Sequence, residues 1–340
     1  MRKNILFWGT PEVAIPALHT LIKYQDELNY NLTGVITIPD RISGRGHKKK
    51  ESAVKKEAKK NKLKIFTPTD LSDPIFINNI RNLNLDIILV VAFRKLPNIL
   101  FNIPNIGTVN LHASLLPQYR GAAPINWVII NGEEKTGLTT FFINDKIDTG
   151  DIIIQEKIDI MPQWHAHHLH AELMKKSEKI LKLTIQKLLS NNYVTHTQNV
   201  SDNNNKLKYA PKIHKQDLII KWEKWNSKKL IDIYNFIKGM SPPGVKTVLF
   251  IQNQDKKIIK KHISITEVSG FKKTSNFNKK ITIKISESCS EIILTKEHNY
   301  FLIKRIKLDN GKELNTSDFI NGFLKKKNHI NNLFLQSPND

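Results

Sequence analysis

The chain has 340 residues, which suits two domains of ordinary size, and 40% of them are hydrophobic, which is enough to form packed cores. No apolar run approaches the length that crosses a bilayer, and residues 4–8 are too short for a secretory leader. One cysteine, Cys289, excludes an internal disulfide and a multi-cysteine zinc site. We therefore expect a cytoplasmic protein that does not use a membrane.

The formal net charge of +22 has two explanations. One is a polyanionic partner such as nucleic acid. The other is base composition, because Lys, Asn and Ile are abundant throughout, as an AT-rich genome imposes. Only 7 of the 53 basic residues are arginine, although arginine is the side chain that best recognises phosphate. The charge is therefore compatible with RNA binding but does not establish it.

The first half of the chain alternates predicted strands with predicted helices. The strands are expected at residues 4–8, 32–38, 87–92, 108–112, 138–143 and 152–158. The helices are expected at residues 12–23, in part of 48–62, and at 124–131 and 165–190. The continuous apolar run at 87–92 is typical of a parallel strand buried on both faces. This alternation predicts an α/β domain with a parallel-rich sheet over residues 1–190.

The pattern changes after residue 190. Residues 191–208 are polar and contain three consecutive asparagines, which indicates a linker. Beyond it, short alternating strands are expected at 281–285, 291–295 and 300–307, separated by polar turns. These predict a small antiparallel β domain, an OB-like barrel, within residues 209–340.

The chemistry-bearing residues cluster near the middle of the first domain. Asn110 and His112 lie two apart on a predicted strand and therefore share a face at its C-terminal end. An amide beside an imidazole can stabilise an oxyanion and move a proton, although such a pair alone is more often structural. Asp148 lies in a predicted turn. It either caps its own backbone or orients His112 and favours the protonated ring.

Several runs occur in an order and at a spacing that resemble a known family. They are Phe7-Trp8-Gly9-Thr10-Pro11, Pro39-Asp40-Arg41, Gly44-Arg45-Gly46, the Asn110 and His112 pair, residues 114–125 (SLLPQYRGAAPI) and Asp148-Thr149-Gly150-Asp151. Together they resemble the methionyl-tRNA formyltransferase family. The run at 114–125 is the most specific of them. The resemblance is strong through Asp151 and faint beyond Pro211.

The resemblance implies a Rossmann-like formyltransferase domain and a C-terminal OB-like domain that binds tRNA. It implies transfer of the formyl group of 10-formyltetrahydrofolate to the α-amine of methionyl initiator tRNA, without a metal. Nothing in the sequence demands more than a monomer, so we expect a monomer. Asn110, His112 and Asp148 match the catalytic residues of the family. Asn110 and protonated His112 would donate hydrogen bonds to the formyl oxygen, and Asp148 would hold His112.

The resemblance also implies two binding surfaces. The folate-binding residues would be Val91, Phe93, Arg94, Ser114, Leu115, Leu116 and Pro117. The tRNA-binding residues would be Arg41, Arg45, Lys48 and Lys49, in a basic loop whose simpler interpretation is a solvated surface. Phe93 occupies a position where the family has glycine, which changes the expected shape of the folate pocket.

Four histidines, His165, His167, His168 and His170, are expected near the start of the long helix. Their i,i+3 spacing would allow a metal site, but we expect solvated side chains, because the family needs no metal.

Three alternatives to a tRNA formyltransferase keep parts of this pattern. A formyltransferase acting on glycinamide ribonucleotide or an amino sugar would share the three catalytic residues, and so would a folate hydrolase. Neither would need the basic loop or a basic C-terminal domain. An RNA-binding protein on a decayed enzyme scaffold would not need to keep the catalytic residues.

Overall fold

The computed structural model describes residues 2–43, 48–198, 207–253, 258–286, 288, 290–309, 311–324 and 330–336. The chain forms two compact units. The first contains Met1–Gly121, Lys135–Asp159 and Ala171–Tyr209. The second contains Ala122–Glu134, Ile160–His170 and Ala210–Asp340. The domain bounds expected from the sequence, after residues 190 and 208, stay a prediction.

The first unit is an α/β structure. Its strands are β1 (Lys3–Gly9), β2 (Tyr30–Ile36), β3 (Arg41–Ser43), β4 (Lys48–Lys50), β5 (Ile65–Phe66), β6 (Ile87–Val91), β7 (Gly107–His112), β8 (Lys135–Phe142) and β9 (Ile152–Asp159). Its helices are α1 (Ile15–Tyr24), α2 (Ala53–Lys60), α3 (Pro74–Arg81) and α4 (Asn98–Phe101). Helix α5 (Pro124–Ile130) belongs to the second unit, and the long helix α6 (Ala166–Leu189) begins there.

Seven strands of this unit form one sheet in the order β5-β2-β1-β6-β7-β8-β9. The first five strands are parallel, and β8 and β9 continue the sheet in antiparallel pairs. All five residues of β6 are buried, as the apolar run at 87–92 predicted. Since the carboxyl ends of parallel strands meet at one edge, residues that follow β1, β6 and β7 lie at the same edge of the sheet.

Local sequence explains where the surrounding helices begin. The Ser52 hydroxyl accepts a hydrogen bond from the Lys55 N–H at the start of α2, and the Asp73 carboxylate accepts one from Ile75 N–H at the start of α3. The predicted helix at 12–23 begins instead as a short 3₁₀ turn, Glu12–Ala14, before α1. The predicted elements of this domain are otherwise confirmed within a few residues at each end.

The second unit is dominated by β structure. After a 3₁₀ turn at Lys215–Leu218 come α7 (Trp222–Trp225), α8 (Leu230–Gly239), β10 (Val245–Asn253), β11 (Ile258–Ile285), β12 (Ile292–Leu308), β13 (Glu313–Asn315), α9 (Thr316–Phe319), a π-helical turn (Ile320–Leu324) and β14 (Ile330–Gln336). The sheet order is β10-β14-β11-β12-β13, and β10 also pairs with β11. This additional pairing curls the antiparallel sheet into a half-barrel, consistent with the expected OB-like domain.

Two strands in this unit are far longer than predicted. The expected strands at 281–285, 291–295 and 300–307 are parts of β11 and β12, which have 28 and 17 residues. Their pairing is interrupted by register shifts, among them those between Ser269 and Lys272 and between Lys273 and Asn278. Each irregularity breaks the two-residue alternation of buried and exposed side chains, so a continuous strand reads as separate pieces.

Helices α5 and α8 pack closely within the second unit. A Cβ at Gly239 of α8 would lie 2.4 Å from Cγ1 of Ile130, and the Asn126 amide donates to the Gly239 carbonyl at 2.7 Å. The core of the unit includes Ile237, Phe301 and Phe319, all with side chains removed from water. Among the described residues, no helix is long and apolar enough to span a membrane.

Candidate active site

Strand β7 ends with the polar pair predicted from the sequence. Asn110 is half-buried and His112 is 6% exposed, with buried Leu111 between them. Asn110 pairs with Val90 of β6 on one side and with Phe141 of β8 on the other. The strand is thus fixed from both sides. Within the described part of the chain, the Asn110 side chain has no hydrogen-bond partner, which leaves its amide available to a ligand.

The His112 ring lies between a carbonyl and a carboxylate. Its Nε2 is 2.9 Å from the Tyr119 carbonyl oxygen, and because a carbonyl only accepts, Nε2 carries a hydrogen and donates. Its Nδ1 is 3.8 Å from Oδ2 of Asp148. This distance makes a close charged pair when the ring is protonated, but it exceeds a hydrogen bond. The backbone of Tyr119 therefore sets the ring orientation, and Asp148 supplies a neighbouring negative charge.

Asp148 sits in the turn between β8 and β9, where the sequence placed it. Its backbone has a left-handed φ of 54°, which aspartate tolerates better than most residues. Its Oδ2 accepts a hydrogen bond of 2.9 Å from the Gly121 N–H. A Cβ at Gly150 would lie 1.7 Å from the Phe142 carbonyl oxygen, so the turn accepts only glycine there. The structure therefore brings Asp148 to His112 through a tightly packed turn.

The run from Ser114 to Pro117, expected to bind folate, is held mainly by its own surroundings. The buried Ser114 hydroxyl donates to the Gln118 carbonyl at 2.7 Å. Leu116 is buried, its carbonyl accepts from the Gln155 amide at 2.8 Å, and the Leu116–Pro117 peptide bond is cis. Leu115 and Pro117 are half-buried. The run follows β7 and so lies at the carboxyl edge, but its contact with folate stays a prediction.

The other expected folate segment follows β6 at the same edge. Val91 is the last residue of β6 and pairs with Gly9. The Phe93 ring packs edge-on against Trp8, with centroids 5.3 Å apart, and so turns toward the core. The Arg94 guanidinium donates to the carbonyls of Pro68 and Thr69. These two side chains are thus occupied by protein contacts.

The basic loop expected to bind tRNA is a two-stranded hairpin in its described parts. Arg41 of β3 pairs with Lys50 of β4, and both Arg41 and Lys49 are exposed. Lys48 lies at the start of β4. Arg45 falls outside the described residues, and its role stays a prediction.

One residue near the site was not found from the sequence. Gln198 lies in the segment interpreted as a linker, yet it is 7% exposed. Its amide donates to the carbonyls of Asp148 and Gly150, and its oxygen accepts from the Arg120 guanidinium. A glutamine in a polar stretch carries no sequence signal of such a role. Arg120 belongs to the run that carries the resemblance, but its partner had no recognisable pattern.

The prediction of solvated histidines at the start of α6 is wrong for His165, which is 2% exposed. Its Nε2 accepts a hydrogen bond from the Val268 N–H at 3.2 Å, within the second unit. Burial, with His167, His168 and Lys238 nearby, lowers the His165 pKa to about 4. Burial also lowers the pKa of Lys238 to about 8, while its ammonium donates to the Pro162 carbonyl.

The i,i+3 spacing placed these histidines on one helix turn, but it did not reveal that β11 covers His165. The rings of His167 and His168 lie 3.9 Å apart. No three His, Cys, Asp or Glu of the described residues are arranged to hold a metal ion.

Two family models match this chain. The model of formyl transferase covers residues 3–185, and the model of the formyl transferase C-terminal domain covers residues 212–324. The first spans the seven-stranded sheet with Asn110, His112 and Asp148, and the second spans most of the half-barrel. The class of protein that fold and site define is therefore a formyl transferase.

Curated relatives narrow this class. The chain is 39% identical over 320 residues to a methionyl-tRNA formyltransferase of Flavobacterium johnsoniae, covering 94% of this chain and 96% of that one. It is 37% identical over 321 residues to one of Clostridioides difficile, with 94% and 96% covered, and 42% identical over 239 residues to one of Bacteroides fragilis, with 70% and 71% covered. The chain therefore belongs to the methionyl-tRNA formyltransferase family.

Solved structures agree on the fold. A sugar 3N-formyl transferase, WlaRD, crystallised with dTDP and 5-N-formyl-THF, aligns with a TM-score of 0.63 at 21% identity, covering 92% of this chain and all of that one. An N-formyltransferase of Helicobacter canadensis, in complex with folinic acid and dTDP-3-aminofucose, aligns with a TM-score of 0.62 at 19% identity, covering 89% and 99%. At these identities the likeness concerns architecture alone.

Proposed function

We propose that this protein transfers the formyl group of 10-formyltetrahydrofolate to the α-amine of methionyl initiator tRNA. One observation carries the proposal. The His112 ring lies 3.8 Å from the Asp148 carboxylate and two residues from Asn110 at the end of β7, in a chain that aligns over nearly its whole length with proteins named methionyl-tRNA formyltransferase. We also propose that it works as a monomer in the cytoplasm.

The chemistry assigned to each residue follows from its surroundings. As the neutral amine forms its bond to the formyl carbon, negative charge develops on the formyl oxygen. The free amide of Asn110 donates to that oxygen, and protonated His112 exchanges its hydrogen bond with Tyr119 for one to the same oxygen. Such bonds often form only once the substrates are bound. Asp148 stabilises the cationic ring at 3.8 Å and helps to relay the proton that the amine loses.

The edge of the sheet fits a folate. The folate supplies the formyl group when bound, and its pterin needs donors and acceptors in a plane. In the described structure, the backbone groups of residues 92–95 make no backbone hydrogen bond outside the strand ladder, so they can serve such a ring. Because Phe93 turns toward Trp8 and Arg94 toward Pro68, their side chains leave that backbone accessible. We propose recognition mainly through the backbone here, with residues 114–117 along the same edge.

On the acceptor side we propose that the β3–β4 hairpin contacts tRNA phosphates. Arg41 and Lys49 are exposed on it, and Arg45 lies between the two strands in the sequence. Lysine and arginine side chains match a phosphate backbone electrostatically, and binding through such contacts weakens steeply as salt rises.

The test is formyl transfer by the purified protein from 10-formyltetrahydrofolate to methionyl initiator tRNA. Parallel reactions contain uncharged tRNA, glycinamide ribonucleotide, an amino sugar nucleotide, or no acceptor. We expect formylmethionine on the charged tRNA and no product in the other reactions. Transfer to a small acceptor instead, or release of formate alone, would disprove the tRNA assignment while keeping the catalytic residues.

A further inference from the structure

The buried Gln198 side chain makes more hydrogen bonds near the site than any residue the sequence singled out. Its Nε2 donates to the Asp148 carbonyl at 3.1 Å and to the Gly150 carbonyl at 2.8 Å. Its Oε1 accepts from Nε and Nη2 of Arg120 at 3.0 and 2.6 Å. Carbonyls only accept and a guanidinium only donates, so these four partners fix which end of the amide is nitrogen.

These hydrogen bonds restrain the surroundings of both His112 and Asp148. Gln198 holds the Asp148 turn through the carbonyls of Asp148 and Gly150, one on either side of Thr149. Arg120 lies between Tyr119, whose carbonyl accepts from His112, and Gly121, whose N–H donates to the Asp148 carboxylate. The contacts form a closed ring from Gln198 through the turn to Gly121 and back through Arg120. One side chain therefore restrains both the carboxylate and the backbone that orients the imidazole.

The segment that carries Gln198 is tied to the first unit on both sides of residues 199–206. His196 exchanges two backbone hydrogen bonds with Ile152 of β9. The Lys208 carbonyl accepts from the Tyr119 N–H, and the Lys208 N–H donates to the Gln118 side chain. The described parts of the predicted linker are thus built into the site, which a passive connection would not require.

We propose that Gln198 is a positioning residue for formyl transfer, which holds the Asp148 turn and the Tyr119–Gly121 backbone so that His112 and Asp148 stay paired. The proposal rests on the proposed function, because it assigns the reaction to this pair. Asp148 has a left-handed backbone that costs free energy, and the two hydrogen bonds from Gln198 offset that cost. Without them the turn relaxes and the distance between Asp148 and His112 increases.

Three variants separate positioning from a general loss of stability. Gln198→Leu removes both ends of the amide. Gln198→Glu keeps an acceptor for Arg120 but loses the donor to the Asp148 turn. Gln186→Glu makes the same change at an exposed glutamine of α6 and serves as the matched control. All are measured on folded protein, with the concentration of folded enzyme taken from the unfolding curve.

The kinetic test measures kcat, KM for methionyl-tRNA and the pH profile of kcat. For Gln198→Leu and Gln198→Glu we expect kcat to fall by about tenfold to a hundredfold, KM to stay within about twofold, and the pH profile to shift. Gln186→Glu should match the wild type. If kcat per folded enzyme and the pH profile are unchanged in both Gln198 variants, Gln198 is only structural and the proposal fails.

A second measurement does not depend on the reaction. In protein labelled with ¹⁵N-histidine, the ring signals of His112, assigned through His112→Gln, report its tautomer and hydrogen bonds. We expect these signals to move in Gln198→Leu and to stay in place in Gln186→Glu. Unmoved signals would overturn the positioning role. If the wild type transfers no formyl group but the His112 signals still move in Gln198→Leu, the proposed function is rejected and the restraint by Gln198 is retained.

Discussion

The two units each bury a histidine, and the two side chains have opposite surroundings. His112 in the first unit is 6% exposed and lies 3.8 Å from the Asp148 carboxylate. His165 in the second unit is 2% exposed and lies near His167, His168 and Lys238. The carboxylate of Glu267 interacts electrostatically with His168. His112 thus faces a negative group, whereas the groups named beside His165 are two imidazoles and an ammonium.

This difference separates a histidine suited to chemistry from one that supports the fold. His112 has a negative neighbour, a free amide two residues away and a place at the edge where ligands bind in α/β sheets. His165 accepts a backbone hydrogen bond from Val268 and is kept neutral by burial, with its pKa lowered to about 4. Both side chains are histidines with little exposure, and they differ in their partners, which are a carbonyl and a carboxylate for His112 and a backbone N–H for His165.

The largest effect is expected at Asn110. Asn110→Ala removes a donor to the formyl oxygen, so kcat should fall by about a hundredfold to a thousandfold while the unfolding midpoint stays unchanged. Asn102→Ala, at an exposed asparagine after α4, is the matched control. Steady-state formylation of methionyl-tRNA measures the effect. Turnover near the wild-type rate would remove Asn110 from catalysis.

Asp148→Asn makes the surroundings of His112 more like those of His165. The amide oxygen can still accept from the Gly121 N–H, but the negative charge beside the ring is lost. We expect kcat to fall by about a hundredfold, within the usual range for acid–base groups. Asp145→Asn changes an exposed residue of the same turn and should have no effect. An equal loss in the two variants would show that the charge beside His112 is not what matters.

The buried His165 should make the free energy of unfolding depend on pH. Its folded pKa of about 4 lies below the unfolded value of about 6.5, so the unfolded chain binds more protons between these pH values. The free energy of unfolding should therefore fall as pH drops from about 6.5 to 4, by up to about 3 kcal/mol from this group.

The variant His165→Gln, which can still accept from Val268, should lose less stability over that pH range. His298→Gln, at an exposed histidine of the same unit, should behave like the wild type. Chemical unfolding at a series of pH values gives the slopes. Identical slopes for wild type and His165→Gln would mean that His165 is not held neutral.

The smallest effect is expected for tRNA binding. Arg45→Ala should raise KM for methionyl-tRNA by about tenfold, while folate binding stays unchanged. The slope of log affinity against log salt concentration should become shallower by about one, as expected for the loss of one phosphate contact. Lys187→Ala, an exposed lysine of α6, is the control. This variant keeps the His112 pair intact and so separates acceptor binding from chemistry. An unchanged KM and salt slope would contradict the assignment of the hairpin.

The sequence predicted the first unit well because its signals are local. The apolar run of β6, the Asn110 and His112 pair and the Asp148 turn each depend on a few consecutive residues. The half-barrel was predicted only in outline. Helix α8 and strands β10 and β14 were not predicted, and the register shifts in β11 concealed the length of that strand.

The errors near the two histidines have a common physical cause. The sequence predicts a solvated His165 because helix spacing does not reveal a covering strand that begins about ninety residues later. The sequence places Gln198 in a linker because its partners, Arg120 and Asp148, are 78 and 50 residues away. Contacts between segments this distant in sequence are set by tertiary packing, and no local pattern records them.

The two histidines can be compared by single-turnover formylation of methionyl initiator tRNA with the wild type, His112→Gln and His165→Gln at one pH near neutrality. We expect transfer by the wild type, a rate at least about a hundredfold lower for His112→Gln, and a rate within about twofold of wild type for His165→Gln. Equal losses in both variants, or an active His112→Gln, would contradict the claim that the carboxylate-paired histidine carries the reaction.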